Sequence, residues 1–315
     1  MILIITQSRD DHVEFLYNRL TESKKKHIVR FNTEDFPMLT SIILSDSPSI
    51  EIEGTKYLLR NFSSVWYRRP IDPIIANVIK NSTARKYALD ECWNMLKALW
   101  NGMNWALWVN EPSKIREANH KWHQSFIARE FGFLYPQTLI TNNPYEARLF
   151  CKMFDHAIVK PVFTSHFESS DGWKMIYTNP ISFDDMRIND LELAPATFQE
   201  YIPKKIELRV TVVDKKVFAC AIESQANEKT KDDWRHYDLD HTPHYPFNLP
   251  DYIKEMCIKI VNYYGLKFGA IDLILTPKDE YYFLELNPNG QWAWIENITG
   301  LPIFSAIIDL LFSKE

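Results

Sequence analysis

The stretch FLELNPNGQW, residues 283–292, decides the fold. It places Glu285 and Asn287 between apolar neighbours and then ends in a Pro-Asn-Gly turn. A second acid, Asp272, lies in the earlier stretch FGAIDLILTP, residues 268–277. Both stretches are otherwise typical of buried strands, and the turn-like TPKDE between them predicts a β-hairpin. The hairpin therefore carries acids in segments that belong to a core, and this needs a physical reason.

The pairing register of this hairpin decides which side chains meet. If Thr276 pairs with Tyr281, Asp272 lies directly opposite Glu285. Side chains alternate between the two faces of a strand. The polar face is then predicted to carry Asp272, Ile274, Phe283, Glu285 and Asn287. The core face is predicted to carry Ile271, Leu273, Leu275, Tyr282, Leu284 and Leu286.

Two like charges directly opposite each other destabilise a sheet. A bound Mg²⁺ reverses that sign, because this ion prefers oxygen ligands and commonly uses one or two carboxylates together with substrate phosphates. Asp272, Glu285 and Asn287 are therefore candidate metal ligands. A solvated strand face and a shifted register are the alternatives that the residues alone leave open.

The bulk composition limits the classes of function. The chain has 315 residues, 46% hydrophobic and 24% charged, which is typical of a folded protein of two or three compact units. The net charge of −5 argues against broad nucleic-acid binding. The four cysteines lack metal-ligand spacing and favour buried thiols in a reducing cytoplasm. No run approaches the roughly 20 apolar residues of a membrane span, so no membrane association is expected.

The chain opens with a β-α-β pattern over residues 2–32, which predicts a parallel sheet. It lacks G-x-G-x-x-G and is not interpreted as a dinucleotide site. The apolar stretch ALWNGMNWALW, residues 98–108, is a candidate homodimer surface. Helices are predicted over 72–103, 112–132, 251–264 and 301–313. Three domains are predicted, over 1–110, 111–198 and 199–315.

Several other polar residues are candidates for contacts with a phosphate or a heterocycle. Lys160 ends the apolar strand AIVK, where a lysine either reaches out to solvent or presents its amine to a phosphate. Lys121, on a predicted helix, is by itself typical of an exposed residue. Glu207 and Arg209 share one strand face in ELRV, as a cross-strand ion pair or as a phosphate site, because arginine binds phosphate bidentately. The extended FQEYIP, residues 198–203, leaves backbone groups that can pair with a flat heterocycle.

Taken in order, these residues resemble a known superfamily. Lys121, Lys160, QEYI (199–202), ELR (207–209), Asp272 and ELN (285–287) follow the order of the ATP-grasp superfamily. More narrowly, the chain resembles the microviridin-type graspetide, or ω-ester peptide, ligases. The stretches that carry this resemblance are VWYRRP, NNP, TFQEYIPKKIELRVTVV, DWR, YYGLKFGAIDLILTP and YYFLELNPNGQWAWIE.

The resemblance implies an α/β (α+β) ATP-grasp fold, with an N-terminal β-α-β pre-ATP-grasp domain and ATP held between two β-rich lobes. By the same resemblance, Lys121 and Lys160 would contact the ATP phosphates, and Arg209, Lys160 and Asn287 would act at the transferring phosphoryl group. The adenine and ribose would lie against Gln199, Glu200, Tyr201, Ile202 and Glu207. Asp272, Glu285 and Asn287 would hold Mg²⁺, as two ions. The single glycine after Lys160, Gly172, departs from the Gly-rich flap of many ATP-grasp proteins.

The implied reaction activates a Glu or Asp side chain of a precursor peptide as an acyl phosphate. A Ser or Thr hydroxyl, or a Lys amine, then displaces phosphate and closes an ester or amide ring. The partner is a precursor peptide with a leader segment. The polar stretch 225–250 is expected to handle it, with Arg235 on the reacting carboxylate and Trp234 excluding water, unless Arg235 pairs with its acidic neighbours. A carboxylate–amine ligase for free amino acids or protein tails, and a non-catalytic nucleotide- or peptide-binding module, are the alternatives.

Overall fold

A computed structural model of the chain describes residues 1–163, 166–169, 172–226 and 242–314. The strands are β1 (Ile2–Thr6), β2 (Ile28–Asn32), β3 (Thr40–Ile43), β4 (Ser49–Ile52), β5 (Thr55–Leu58), β6 (Ser64–Tyr67), β7 (Leu107–Val109), β8 (Thr138–Thr141), β9 (Ala157–Lys160), β10 (His166–Ser169), β11 (Gly172–Met175), β12 (Asn179–Ile181), β13 (Ala196–Glu200), β14 (Ile206–Val213), β15 (Lys216–Ile222), β16 (His244–Pro246), β17 (Phe268–Leu275) and β18 (Tyr281–Asn287). The α-helices are α1 (Asp11–Arg19), α2 (Glu22–Lys25), α3 (Ser82–Gly102), α4 (Pro112–Ala118), α5 (Lys121–Glu130), α6 (Pro144–Lys152), α7 (Asp251–Tyr263), α8 (Ala293–Thr299) and α9 (Ile303–Phe312).

The predicted β-α-β opening is confirmed and begins a parallel sheet. The strand order is β2-β1-β6-β7, and every pairing is parallel. Residues 2–5 are fully buried, because apolar side chains cover both faces of β1. Helix α1 begins where the Asp10 carboxylate accepts the N–H groups of His12 and Val13. Strands β3, β4 and β5 form a separate antiparallel sheet beside it.

The predicted helix over 112–132 is wrong in one respect, because the structure has two helices there. His120 adopts an extended backbone (φ −78°, ψ 90°) between α4 and α5. The Gln124 side chain, on α5, donates to the Ala118 carbonyl at 2.6 Å and so provides a hydrogen bond to a carbonyl group at the end of α4. Because of this break, Lys121 lies in the first turn of a helix and not in the middle of one.

The helix predicted over 72–103 begins later than expected, at Ser82. The Asn81 side chain accepts the Ala84 N–H at 2.9 Å and caps it. Within the apolar stretch 98–108, Leu99, Trp100 and Met103 lie in the core of the N-terminal sheet, each at most 6% exposed. These side chains are therefore not available to a homodimer surface, whereas Trp105 in the same stretch is exposed.

The middle of the chain forms a smaller sheet of order β12-β9-β13-β8, with antiparallel pairing throughout. Helix α6 packs on it through Ala147, Phe150 and Cys151. Strands β10 and β11 form a separate hairpin after β9. This sheet presents the C-terminal end of β9, with Lys160, toward the last third of the chain.

The last third is built on an antiparallel sheet of order β16-β15-β14-β17-β18. One face packs against α5 and α7, and the other against α8, α9 and α1. With both faces covered, every residue of β14 is buried. A charge on such a strand is costly unless it is paired. Among the described residues, no helix has both the length and the apolar character that crossing a membrane requires.

The predicted hairpin forms, and Asp272 does lie opposite Glu285. The predicted register near the turn is wrong, however. A β-bulge after Asp272 shifts the pairing by one residue, so Leu275 and not Thr276 pairs with Tyr281. The predicted faces of three residues are consequently exchanged. Phe283 is fully buried in the core beside Leu273, Leu284 lies on the polar face with Asp272, and Tyr282 pairs with Ile274 on the polar face and not on the core face.

The bulge leads to a prediction about the free energy of unfolding. Phe283→Ala should lower the free energy of unfolding by about 3–5 kcal/mol, because it leaves a cavity in the core. Leu284→Ala is the matched control and should cost less, because that side chain is only half-buried and lines a cleft. Urea denaturation measures both changes. A larger loss for Leu284→Ala would show that the strand pairs without the bulge.

Candidate active site

The hairpin acids are part of a row of charges that crosses three neighbouring strands. Arg209 on β14 pairs in register with Asp272 on β17, which pairs with Glu285 on β18. Arg209 Nη1 lies 2.7 Å from Asp272 Oδ1, and Lys121 Nζ lies 2.7 Å from Glu285 Oε2. The two adjacent acids are thus each compensated by a cation on their outer side. This arrangement removes the repulsion that two opposed carboxylates would otherwise produce.

The same face offers oxygen atoms to a metal ion. Asn287 donates its side-chain N–H to Glu285 Oε1 at 3.1 Å, which leaves the amide oxygen of Asn287 on the same side. Two carboxylates and an amide oxygen fit the ligand preference of Mg²⁺. Within the described part of the chain, no three His, Cys, Asp or Glu side chains converge as a metal site. An ion bound here would therefore need further oxygens, such as those of phosphates or water.

Across a cleft from this row, the middle sheet supplies Lys160. Lys160 Nζ donates to Gln199 Oε1 at 2.8 Å, and Gln199 Nε2 donates to Thr138 Oγ1 at 2.8 Å. The Gln199 side chain is 1% exposed, so it fixes the lysine amine from behind. The structure therefore gives Gln199 a supporting contact to Lys160.

The segment between the two sheets forms the back of the cleft. Glu200 N–H donates to Gln137 O at 2.9 Å, and Tyr201 N–H donates to His156 O at 3.2 Å. Ile202 is 5% exposed. No described residue accepts a hydrogen bond from its backbone N–H, so that donor remains available to a ligand.

Glu207 lies at the inner end of this segment. Its carboxylate accepts from Lys204 Nζ at 2.9 Å and from Ser224 Oγ at 2.8 Å, and it is 5% exposed. A buried carboxylate with two donors is held in one orientation. Lys204 and Ser224 were not singled out from the sequence, although Lys204 follows directly after the QEYIP stretch.

One cleft collects most of the residues predicted for the site. Its lining includes Lys121, Lys160, Gln199, Glu200, Tyr201, Ile202, Glu207, Asp272 and Glu285. Ile274, predicted on the same face as Asp272, also lines it, together with two apolar side chains that the sequence did not reveal, Ile158 and Leu284. Arg209 and Asn287 adjoin the cleft through their contacts with Asp272 and Glu285. Trp234 and Arg235 lie outside the described residues.

Gly290 is a further site residue that the sequence marked only as part of a turn. A Cβ atom at this position would lie 2.5 Å from the Ala270 Cβ and 2.8 Å from Arg209 Nη2. Real Cβ atoms do not approach other atoms so closely, so the loop and the guanidinium depend on glycine here. Arg209 Nε is buried and lacks a hydrogen-bond partner among the described residues, so Nη1 and Nη2 alone anchor the group.

Gly290→Ala should therefore displace Arg209 and reduce the ATP turnover that the resemblance implies by about 100-fold, as expected when a group at a reaction site moves by about 1 Å. The control is Gly102→Ala, because a Cβ at Gly102 meets nothing within 4 Å. ADP release measures turnover, and circular dichroism checks the fold. Equal turnover in the two variants would mean that the loop tolerates the extra carbon.

Two family models match successive parts of the chain. The MvdD pre-ATP grasp domain matches residues 1–116, and the RimK-like ATP-grasp domain matches residues 118–311. A tetrahydromethanopterin:alpha-L-glutamate ligase of Methanocaldococcus jannaschii is 24% identical over 207 residues, which are 64% of this chain and 68% of that protein.

Two solved structures are similar over nearly the whole chain. The macrocyclase MdnC of Microcystis aeruginosa, bound with the precursor peptide MdnA, is 30% identical with a TM-score of 0.86, covering 99% of each chain. A RiPP-associated ATP-grasp ligase of Chryseobacterium gregarium, in complex with ADP and a leader and core peptide, is 32% identical with a TM-score of 0.89. That match covers 100% of this chain and 97% of the other.

Proposed function

The chain belongs to the RimK-like ATP-grasp family, whose members are ADP-forming ligases, and carries an MvdD pre-ATP-grasp domain; from this membership we propose that it closes rings in a ribosomal precursor peptide. One observation carries the proposal. The charged row on β14, β17 and β18 lies in the same cleft as Lys160. The chain is also similar along its whole length to a macrocyclase and an ATP-grasp ligase whose structures were solved with peptides.

The nucleotide would lie in the cleft with its base against the connecting segment. The Ile202 N–H and the backbone of Glu200 and Tyr201 would meet the edge of adenine, and the apolar Ile158 and Leu284 would cover its faces. Glu207, already held in one orientation by Lys204 and Ser224, would accept the ribose hydroxyls. The phosphates would then reach Lys121 and Lys160.

In the proposed first step, a Glu or Asp carboxylate of the peptide attacks the γ-phosphorus of ATP, and ADP leaves. In the second, a Ser or Thr hydroxyl or a Lys amine attacks the acyl phosphate, and phosphate leaves. Each ring thus costs one ATP and removes one water from the peptide. Lys160 and Arg209 would offset negative charge on the transferring group, each held by its own sheet, β9 of the middle sheet and β14 of the large sheet.

Asp272, Glu285 and Asn287 would hold Mg²⁺, which, when bound, neutralises charge on the phosphates. Without a bound ion, Lys121 compensates the charge of Glu285 and Arg209 that of Asp272. The number of ions, two in the proposal, follows from the family resemblance. We further propose domains at 1–110, 111–198 and 199–315, a cytoplasmic location, and Arg235 and Trp234 as contacts of the reacting carboxylate.

The test of the function is incubation with ATP, Mg²⁺ and a precursor peptide, sought among the short reading frames next to the gene, followed by mass spectrometry. A loss of 18 Da for each ring is expected, from the elimination of one water. Hydrolysis in mild base separates ester rings from amide rings. An unmodified peptide, with the enzyme folded and ATP-binding, would contradict the proposal.

A second candidate is a ligase that joins a free amino acid, which the similarity to the glutamate ligase favours. The same mass spectra distinguish it. Addition of glutamate raises the mass of an acceptor by the mass of one residue, whereas ring closure lowers it. Incubation with free amino acids and no peptide completes the comparison.

Asp272→Asn and Glu285→Gln keep the shape of the site and remove one charge each. Each should reduce Mg²⁺-dependent turnover at least about 100-fold, because a carboxylate ligand of the ion is lost. Asp279→Asn, in the turn of the same hairpin, is the control, because Asp279 makes only an exposed ion pair with Lys205. ADP release at several Mg²⁺ concentrations measures the effect. Normal turnover in both site variants would remove the metal assignment.

Lys160→Met should weaken binding of an ATP analogue by about tenfold or more and lower turnover further, because it removes a charge-assisted contact to phosphate. Lys216→Met is the control, since Lys216 forms an exposed ion pair with Asp309. Isothermal titration calorimetry measures the affinity. Unchanged affinity and turnover in Lys160→Met would exclude a phosphate contact.

A further inference from the structure

The loop after β18 is held by side chains from the N-terminal part of the chain. Arg68, one residue past β6, is 1% exposed. Its Nη1 donates to the Asn289 carbonyl at 2.6 Å, to the Asn289 side-chain oxygen at 3.2 Å and to the Gly290 carbonyl at 3.3 Å. One guanidinium group therefore fixes two successive peptide units of the loop.

A histidine holds the next part of the same loop. His12 Nε2 accepts the N–H of Trp292 at 3.0 Å and lies 3.3 Å from the N–H of Ala293. The ring must be neutral to accept there, and burial with two nearby arginines lowers its pKa to about 2. Because Nε2 accepts, His12 Nδ1 carries the proton of the neutral ring. It lies 3.2 Å from Arg68 Nη2, so the two buried side chains are in contact but Arg68 does not donate to the ring.

A third residue, Asn110, completes the contact at the start of the loop. Its side chain donates to the Pro288 carbonyl at 2.7 Å and to the Phe268 carbonyl at 2.8 Å. It also accepts the N–H of Phe268 at 3.0 Å. Asn110 thereby ties the loop to the beginning of β17, the strand that carries Asp272.

The loop matters because of what lies on its other side. The Arg209 side chain passes Gly290 so closely that no Cβ fits between them, and Arg209 Nη2 lies 3.5 Å from the Gln291 carbonyl. Gly290 N–H also lies 3.3 Å from the carbonyl of Asn287. Any movement of the peptide units at 289 and 290 would therefore displace Arg209 and the end of β18 together.

We propose that Arg68 is a positioning residue of the ligase reaction, which holds the 289–290 peptide units against Arg209 and Asn287 and so couples the N-terminal sheet to the phosphoryl-transfer site. The proposal rests on the function proposed above. It makes the N-terminal sheet a part of the catalytic machinery. The proposal assigns Arg68 no contact with substrate or ion, only with the loop.

A purely structural role would predict something different. Arg68 would then contribute only to stability, and its loss would leave the rate intact wherever the enzyme remains folded. Arg85 provides the comparison, because its guanidinium also binds three carbonyls, those of Ile75, Ala76 and Ile79, at 3.0–3.2 Å. Those carbonyls lie before α3 and have no contact with the cleft residues.

The kinetic test compares Arg68→Met, Arg68→Lys and Arg85→Met at a temperature well below unfolding. Arg68→Met should lower kcat about 100-fold with the KM for ATP within about threefold, because the base-binding segment is untouched. Arg68→Lys retains the buried charge beside Asp10 and should fold, but one amine cannot make the forked contacts, so kcat should still fall about tenfold. Arg85→Met should lower the free energy of unfolding and leave kcat unchanged.

Hydrogen exchange provides a readout that needs no activity. The amides of residues 289–293 should exchange at least about tenfold faster in both Arg68 variants than in the wild type and Arg85→Met. Unchanged exchange, or a kcat equal to that of Arg85→Met, would overturn the proposal. A wild-type enzyme that modifies no peptide would refute the proposed function instead, while the exchange data would still decide whether Arg68 holds the loop.

Discussion

The structure depends on how the backbone from Leu286 to Ala293 satisfies its polar groups. This segment leaves the edge strand of the large sheet and runs into the interior, where unpaired N–H and C=O groups are costly. Buried side chains from four separate places bind it: Gln124 at Leu286, Asn110 at Pro288, Arg68 at Asn289 and Gly290, and His12 at Trp292. Side-chain contacts of this kind fix position in a way that apolar packing alone does not. The active-site strand, the N-terminal sheet and helix α5 are therefore fixed relative to each other through one loop.

The requirement that buried polar groups be paired also explains the acids in the hairpin. Buried carboxylates are tolerated when a charge and a hydrogen-bond donor meet each of them. Here Arg209 meets Asp272 and Lys121 meets Glu285, so the row alternates cation, anion, anion, cation. Had the acids been compensated by an ion alone, the apo protein would carry two repelling charges side by side. In the proposed function the same two cations also meet the phosphates, so the ion pairs that keep the sheet stable would serve the binding of a polyanionic ligand.

Much of this could be predicted from the sequence, and the failures have physical causes. The parallel opening and the acid-bearing hairpin follow from local periodicity. The pairing of Asp272 with Glu285 is predicted from a register at the turn that the structure does not have, and it holds because the bulge offsets that error. The bulge at Leu284 does not, because FLEL contains no glycine to mark an extra residue, and so the faces of Phe283 and Leu284 were exchanged. Lys121 alone looked like a surface residue, since neither Gly nor Pro announces the helix break at His120. The Arg68 contacts join residues more than 200 positions apart and have no periodicity that could reveal them.

In the proposed function, the bulge also lets one cleft take both halves of a nucleotide. With Leu284 on the polar face, Leu284 and Ile274 lie directly beside Asp272 and Glu285, so an apolar patch adjoins the charged row. Without the extra residue, Phe283 would occupy that face and Leu284 would lie in the core. A heterocycle needs apolar cover and a few backbone contacts, whereas phosphates need cations and a metal ion. One additional residue in a strand thus places the two kinds of surface next to each other.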